Sequence, residues 1–74
     1  MGFHELKKEL KLTSQEMADL TGTSKRSVDN WSSGRNAPPV AMIAWLKMER
    51  MRRAALEAIE AGDLDRAVEI LRAP

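Results

Sequence analysis

The feature that most constrains this fold is a pair of short helices with a very short turn between them, predicted within residues 13–34. Thr13 and Glu16 have the spacing of a capping box, in which each side chain accepts a hydrogen bond from the other residue's backbone and fixes the start of a helix. Gly22 suits the left-handed conformation that ends a helix. Helices this short are marginal in water on their own, so the chain must pack them against other helices.

The second of the two helices has an inward and an outward side. Either Thr23 or Ser24 can cap its start, and residues 32–34 can end it. Val28 and Trp31 are spaced three residues apart and are expected to face inward. At this spacing Trp31 is more typical of a core residue than of a stacking platform for a base.

The outward side chains of the second helix suit the recognition of DNA. Lys25 and Arg26 can contact guanine O6 and N7 or phosphate, and Asn30 can contact adenine N6 and N7. Two short helices in which the second carries such residues are typical of a helix-turn-helix, whose second helix enters the major groove. Asp29 lies among them and could repel phosphate, accept from cytosine N4, or pair with Lys25 or Arg26.

Three further helices are predicted, which gives an all-α fold of about five helices. The spacing of Phe3, Leu6 and Leu10 predicts a first helix. Pro38 is predicted at the first position of a fourth helix, with a helical pattern from Val40 over about twenty residues. The end of that helix and the cap of a fifth are predicted at residues 62–63, and the fifth helix has the apolar stripe Leu64, Ala67, Val68 and Leu71. No segment alternates with the period of a strand.

The fourth helix has a wider apolar stripe than one core needs. One face is marked by Val40, Ile43, Ala44 and Leu46, and the neighbouring face by Met42, Trp45, Met48 and Met51. Either the helix is fully buried, or it contacts the core on one side and a partner subunit on the other. We favour a homodimer, because a chain of this size has a small core and oligomerisation adds buried surface. The predicted dimerisation residues are Trp45, Met48, Leu56, Ile59, Leu64, Val68 and Leu71.

Charge divides the chain into two parts. The net charge is +1, but residues 1–53 carry ten Lys and Arg against six Asp and Glu, whereas residues 54–74 carry two against five. We therefore predict a helix-turn-helix domain at 1–53 with an anionic partner, and a C-terminal helical dimerisation element at 54–74. The basic run Arg50, Arg52 and Arg53 is either a solvated helix face or a phosphate contact.

The absence of cysteine and the single histidine limit the possible chemistry. They exclude a disulfide framework and a thiolate metal site, and they argue against a nucleophile–histidine catalytic centre. His4 is expected to be exposed, and neither a metal, a cofactor nor enzymatic activity is predicted. No apolar run approaches the roughly 20 residues of a transmembrane helix. The expected location is the cytoplasm of a bacterial or phage-infected cell, at the nucleoid.

Residues 12–24 resemble the helix-turn-helix of phage repressor and Cro-like regulators, the XRE-type family, and residues 28–38 continue the resemblance. The resemblance depends on six residues whose spacing agrees with the family pattern without a gap: Ala18, Gly22, Val28, Trp31, Gly34 and Pro38. The resemblance covers roughly residues 3–50. It implies a small repressor of the kind found in phages and mobile elements, often controlling its own operon, of which anti-CRISPR-associated repressors are one group.

The resemblance also implies which residues touch DNA. The base contacts would be made by Lys25, Arg26, Ser27 and Asn30. The backbone contacts would be made by Ser14, Gln15, Ser24, Arg35 and Asn36. Many family members have a glutamine at the position of Ser14, whereas in this chain the glutamine comes one residue later.

The sequence therefore predicts a sequence-specific regulator that binds double-stranded DNA. A dimer would bind an inverted repeat with half-site centres ~34 Å apart, and would repress by occluding polymerase. The alternative is a protein-interaction module, such as an antitoxin or adaptor that holds a partner through its helical tail. The acidic tail and its apolar stripe favour that alternative.

Overall fold

The computed structural model describes residues 2–72, and these form five α-helices without a strand. The helices are α1 (Phe3–Glu9), α2 (Ser14–Thr21), α3 (Lys25–Ser33), α4 (Val40–Glu60) and α5 (Leu64–Arg72). The predicted all-α fold of about five helices is confirmed. No helix in the described part of the chain is long and apolar enough to cross a membrane.

The start and end of α2 follow directly from local chemistry. The Thr13 hydroxyl accepts from the Glu16 amide at 3.0 Å, and the Glu16 carboxylate accepts from the Thr13 amide at 3.1 Å. The hydrogen bond from the Thr13 amide holds the pKa of Glu16 below its usual value, and the Thr13 hydroxyl lowers it further. Gly22 ends the helix with φ +70°, in the left-handed region that favours glycine. The predicted capping box and glycine end are both confirmed.

Helix α3 begins at a serine cap and ends at a second left-handed glycine. The Ser24 hydroxyl accepts from the Ser27 amide at 3.1 Å, so Ser24 is the cap and Thr23 is not. Gly34 follows the helix with φ +81°. Three residues therefore separate α2 from α3, and both ends of this connection are fixed by side-chain or glycine chemistry.

The main core lies between α1, α2, α3 and the first half of α4. Its buried members are Phe3, Leu6, Leu10, Leu12, Met17, Ala18, Val28 and Leu46, with Trp31, Met42, Ile43 and Trp45 packed against them. Phe3 and Trp31 meet edge to face, with ring centroids 5.8 Å apart and an interplanar angle of 82°. The core interpretation of Trp31 is confirmed, and the exposed position of His4 is as predicted.

The start of α4 differs from the prediction in two ways. Pro38 is not the first helical residue, because α4 begins at Val40 and Pro39 precedes it in an extended conformation. A residue before proline is disfavoured in the helical region, so the Pro38–Pro39 pair delays the helix. Val40 was predicted to share one apolar face with Leu46, but Val40 is 83% exposed whereas Leu46 is fully buried. Val40 lies six residues before the buried Leu46, which at 3.6 residues per turn places it roughly 240° around the helix from that residue.

Helix α4 continues past the main core and forms a hairpin with α5. Asp63 caps α5, since its carboxylate accepts from the Arg66 amide at 3.0 Å. The interface is built on small residues, of which Ala55, Ala58 and Ala67 are buried. Among the described helices α5 packs on α4 alone. The described chain is correspondingly elongated, with extents of 41 × 21 × 18 Å.

The two predicted parts of the chain share α4, because this helix runs without interruption across residue 53. Residues 1, 73 and 74, at the outer ends of the two predicted ranges, lie outside the described residues. The division at 53 stays a prediction. The structure gives it one physical correlate, since the last buried member of the main core is Leu46 and the next buried residue of α4 is Ala55.

Arg53 links α4 to the end of α1. Its guanidinium donates to the Leu10 carbonyl at 2.7 Å and to the Glu49 carboxylate at 3.2 Å. The next residue after Leu10 is Lys11, which has φ +55° and turns the chain out of α1. Arg53 therefore donates to the carbonyl of Leu10, one of the carbonyls at the end of α1 that no later residue of the helix can reach.

Replacing Arg53 with Met is expected to lower the free energy of unfolding by about 1 kcal/mol, because a charge-assisted hydrogen bond between two helices is lost. Arg52→Met is the matched control, since Arg52 also pairs with Glu49 but does not reach α1. Urea unfolding monitored by circular dichroism measures both. Equal losses in the two variants would mean that the bond to the Leu10 carbonyl contributes nothing.

Candidate nucleic-acid interface

The predicted base-contacting residues lie on the first turn and a half of α3. Lys25 and Arg26 are exposed, and Ser27 and Asn30 are partly exposed. Lys25 is not free, because its ammonium lies 3.1 Å from the Asp29 carboxylate. Within residues 2–72 the Arg26 side chain has no ion-pair partner, which leaves its guanidinium open to a ligand.

Asp29 pairs with Lys25 and is also influenced by α2. Hydrogen bonding by the Ser14 side chain, at the start of α2, is the largest cause that lowers the pKa of Asp29 below its usual value. The hydrogen bond from Lys25 and the positive charge of Lys7 on α1 lower it further. Of the three roles considered for Asp29, pairing with Lys25 is the one seen in the structure. The pair is exposed, with 59% of the Lys25 side chain and 48% of the Asp29 side chain accessible.

Two serines at the start of α3 are engaged with each other. The Ser24 hydroxyl accepts from the Ser27 amide and donates to the Ser27 hydroxyl at 2.9 Å. The Ser27 hydroxyl is then an acceptor in this pair and keeps its own hydrogen for another partner. This arrangement lets Ser27 donate outward, while Ser24 is mainly occupied by capping.

The predicted backbone-contacting residues flank α3 on two sides. Gln15 on the first turn of α2 donates its amide to the Asp19 carboxylate at 2.9 Å. Arg35 and Asn36 are exposed in the connection that follows α3. The backbone amide of Asn36 donates to the backbone carbonyl of Asn30 at 3.2 Å, and this bond holds the connection against the end of α3. The structure thus packs α2 against α3 and keeps the 35–36 loop beside the end of α3.

The basic run on α4 is compensated by carboxylates. Arg50 lies 3.6 Å from Glu9, and both Arg52 and Arg53 bond to Glu49. The hydrogen bond from Arg52 lowers the pKa of Glu49, and Arg53 adds to this effect. The spacing of three and four residues between Glu49 and the two arginines could have indicated these pairs from sequence. The bond from Arg53 to α1 had no such indication.

Most of the predicted dimerisation residues are exposed on the α4–α5 hairpin. Six of them are 42–64% exposed: Met48, Leu56, Ile59, Leu64, Val68 and Leu71. We call these six residues together with Trp45 the hairpin face. Leu71 and Trp45 line one shallow groove of about 310 Å³ together with Met48, Met51 and Arg52, so the two helices contribute to the same surface. A fully buried α4, one of the two alternatives, is excluded by the exposure of Met48.

Among the residues that the structure describes, no three His, Cys, Asp or Glu side chains form a group suited to a metal ion. No protein-family model, curated protein sequence or solved structure matches this chain significantly. The resemblance to phage-repressor-like regulators therefore rests on the residues quoted for it, and the function has to be argued from the surface of α3 and from the hairpin face.

Proposed function

We propose that this chain binds double-stranded DNA with sequence specificity, with α3 lying in the major groove. The observation that carries the proposal is the exposed side of α3, where an unpaired Arg26 and a partly exposed Asn30 lie about one turn apart. A guanidinium suits guanine O6 and N7, and a carboxamide suits adenine N6 and N7. The major groove admits one α-helix, and α3 is short and attached at both ends by tight connections.

The elements beside α3 supply contacts to the phosphate backbone. Arg35 lies two residues after the end of α3 and adds an exposed positive charge beside the helix proposed to enter the groove. The free amide groups of the first turn of α2, which begins at Ser14, add donors suited to phosphate oxygens. Gln15 can join them only by giving up its hydrogen bond to Asp19.

We further propose that two copies of the chain join through the hairpin face and act as a repressor that controls the operon encoding it. Seven apolar side chains on one side of two packed helices favour a protein partner over solvent. A symmetric dimer would present two α3 helices to successive major grooves with centres ~34 Å apart. Bound there, it would exclude polymerase from an overlapping promoter.

The experiment that tests DNA binding begins with selection of bound duplexes from a random library, followed by titration of the selected site. Arg26→Ala and Asn30→Ala are each expected to weaken binding by about 1–3 kcal/mol and to relax the preference at one base pair. Arg35→Ala is expected to weaken binding to all sequences and to flatten its salt dependence. Lys47→Ala is the matched control, because it removes an exposed charge from α4.

Two results would contradict the proposal. One is a selection that yields no preferred sequence. The other is a selected site that Arg26→Ala and Asn30→Ala bind as tightly as Lys47→Ala does.

The hairpin face also favours a second candidate function, in which the chain is an antitoxin or adaptor that holds a different protein. The same exposed apolar side chains and the acidic charge of residues 54–74 would serve such a partner. Capture of a stoichiometric protein partner from the native host, with a wild-type chain that is monomeric when purified alone, would favour this function over the homodimer.

A further inference from the structure

Asp29 lies in the middle of the surface proposed to meet DNA. It is three residues from Arg26 and one from Asn30, and about half of its side chain is accessible. A carboxylate at such a position opposes binding to a polyanion, since like charges repel and the surface is not buried against anything else. Its presence there therefore needs a physical explanation beyond helix formation.

Lys25 holds this carboxylate in place, since its ammonium lies 3.1 Å away on the same helix. The Ser14 side chain of α2, Lys25 itself and the charge of Lys7 on α1 together lower the pKa of Asp29. Asp29 thus keeps its negative charge at neutral pH. The Asp29 carboxylate also occupies the Lys25 ammonium, which could otherwise pair with a DNA phosphate.

We propose that Asp29 is a specificity-determining residue, which prevents the chain from binding DNA through charge alone. The inference rests on the proposed function, because it concerns the same surface of α3. Asp29 acts in two ways: it withholds Lys25 from phosphate, and its own charge repels the backbone. On random DNA no base contact fixes the position of α3, so an ammonium freed from Asp29 can turn to whichever phosphate is nearest. On a cognate site the base contacts of Arg26 and Asn30 fix the position of α3, so the freed ammonium gains less there.

The test compares Asp29→Asn with Asp65→Asn. Asparagine preserves the shape of the side chain and can still accept from the Ser14 hydroxyl. Asp65 is an exposed residue of α5, which packs only on α4 in the described chain, so its variant changes the net charge equally but away from α3. Binding to a random-sequence duplex and to the selected duplex is measured by fluorescence anisotropy over a range of salt concentrations.

Asp29→Asn is expected to bind the random duplex roughly three- to tenfold more tightly than wild type at about 0.1 M salt, with a salt dependence steeper by about one phosphate contact. Its affinity for the selected duplex should rise less, so that the ratio of specific to random binding falls. Asp65→Asn should resemble wild type in both. In a Lys25→Gln background the steeper salt dependence should disappear, because the freed ammonium is its source.

Each other outcome overturns the inference. If Asp29→Asn and Asp65→Asn bind the random duplex equally, Asp29 does not limit binding through charge. If Asp29→Asn instead loses affinity for the selected duplex at one base pair, Asp29 reads a base directly, in the manner of a carboxylate on cytosine N4. A wild-type chain that binds no duplex overturns the proposed function together with this inference, whereas the first two outcomes leave the proposed function intact.

Discussion

Replacing Leu46 with Ala is expected to lower the free energy of unfolding by about 2–5 kcal/mol. The Leu46 side chain is fully buried, and it is the residue through which α4 enters the core built by α1, α2 and α3. A chain of this size has a total stability of only about 5–10 kcal/mol, so the variant should be largely unfolded at modest urea concentrations. Urea unfolding monitored by circular dichroism measures the loss.

Val40→Ala is the matched control on the same helix. Val40 is 83% exposed, so its truncation is expected to change the free energy of unfolding by no more than about 0.5 kcal/mol. The pair also tests the rotation of α4 about its axis, because the sequence pattern placed Val40 and Leu46 on one face. Comparable losses for the two variants would mean that this rotation is wrong.

Local chemistry explains which parts of the fold could be predicted. Caps and left-handed glycines act within four residues of one another, and so Thr13, Gly22 and Gly34 could be assigned from sequence. The prediction that Pro38 begins α4 was wrong for a local reason. The ring of Pro38 suits the first position of a helix, but Pro39 follows it and disfavours a helical conformation at Pro38. Val40 misled for a different reason, since the wide apolar stripe of α4 fits several rotations and only packing against the other helices selects one.

The sequence could indicate which residues belong to the candidate site, but not the contacts that these residues and their neighbours make between helices. Lys25, Arg26 and Asn30 were identified by residue type and helical spacing, and they lie on the accessible side of α3. The Ser14 side chain lowers the pKa of Asp29 from a different helix, and the bond between Arg53 and Leu10 spans 43 positions. No periodicity encodes such contacts, because they depend on how the helices pack.

Placing two charges on the hairpin face is expected to convert the proposed dimer to monomers. Met48→Glu and Leu71→Glu together put carboxylates on both helices of the groove that the face contains. In a two-fold dimer these four charges would be buried near one another, and desolvation with repulsion should raise the dimer dissociation constant by about a hundredfold or more. Sedimentation equilibrium measures the change, and the thermal unfolding of the monomer should be little affected because both residues are exposed.

Leu20→Glu is the control for this variant, since Leu20 is an equally exposed leucine on α2, outside the hairpin face. Leu20→Glu adds one negative charge, as each substitution of the double variant does, but it should leave the dimer intact. A dimer that resists the double change but dissociates with Leu20→Glu would move the interface to α2. The double variant leaves the sequence of α3 unchanged in each chain. If it nevertheless binds the selected duplex more weakly, the loss of affinity measures how much of the binding depends on two α3 helices occupying two major grooves at once.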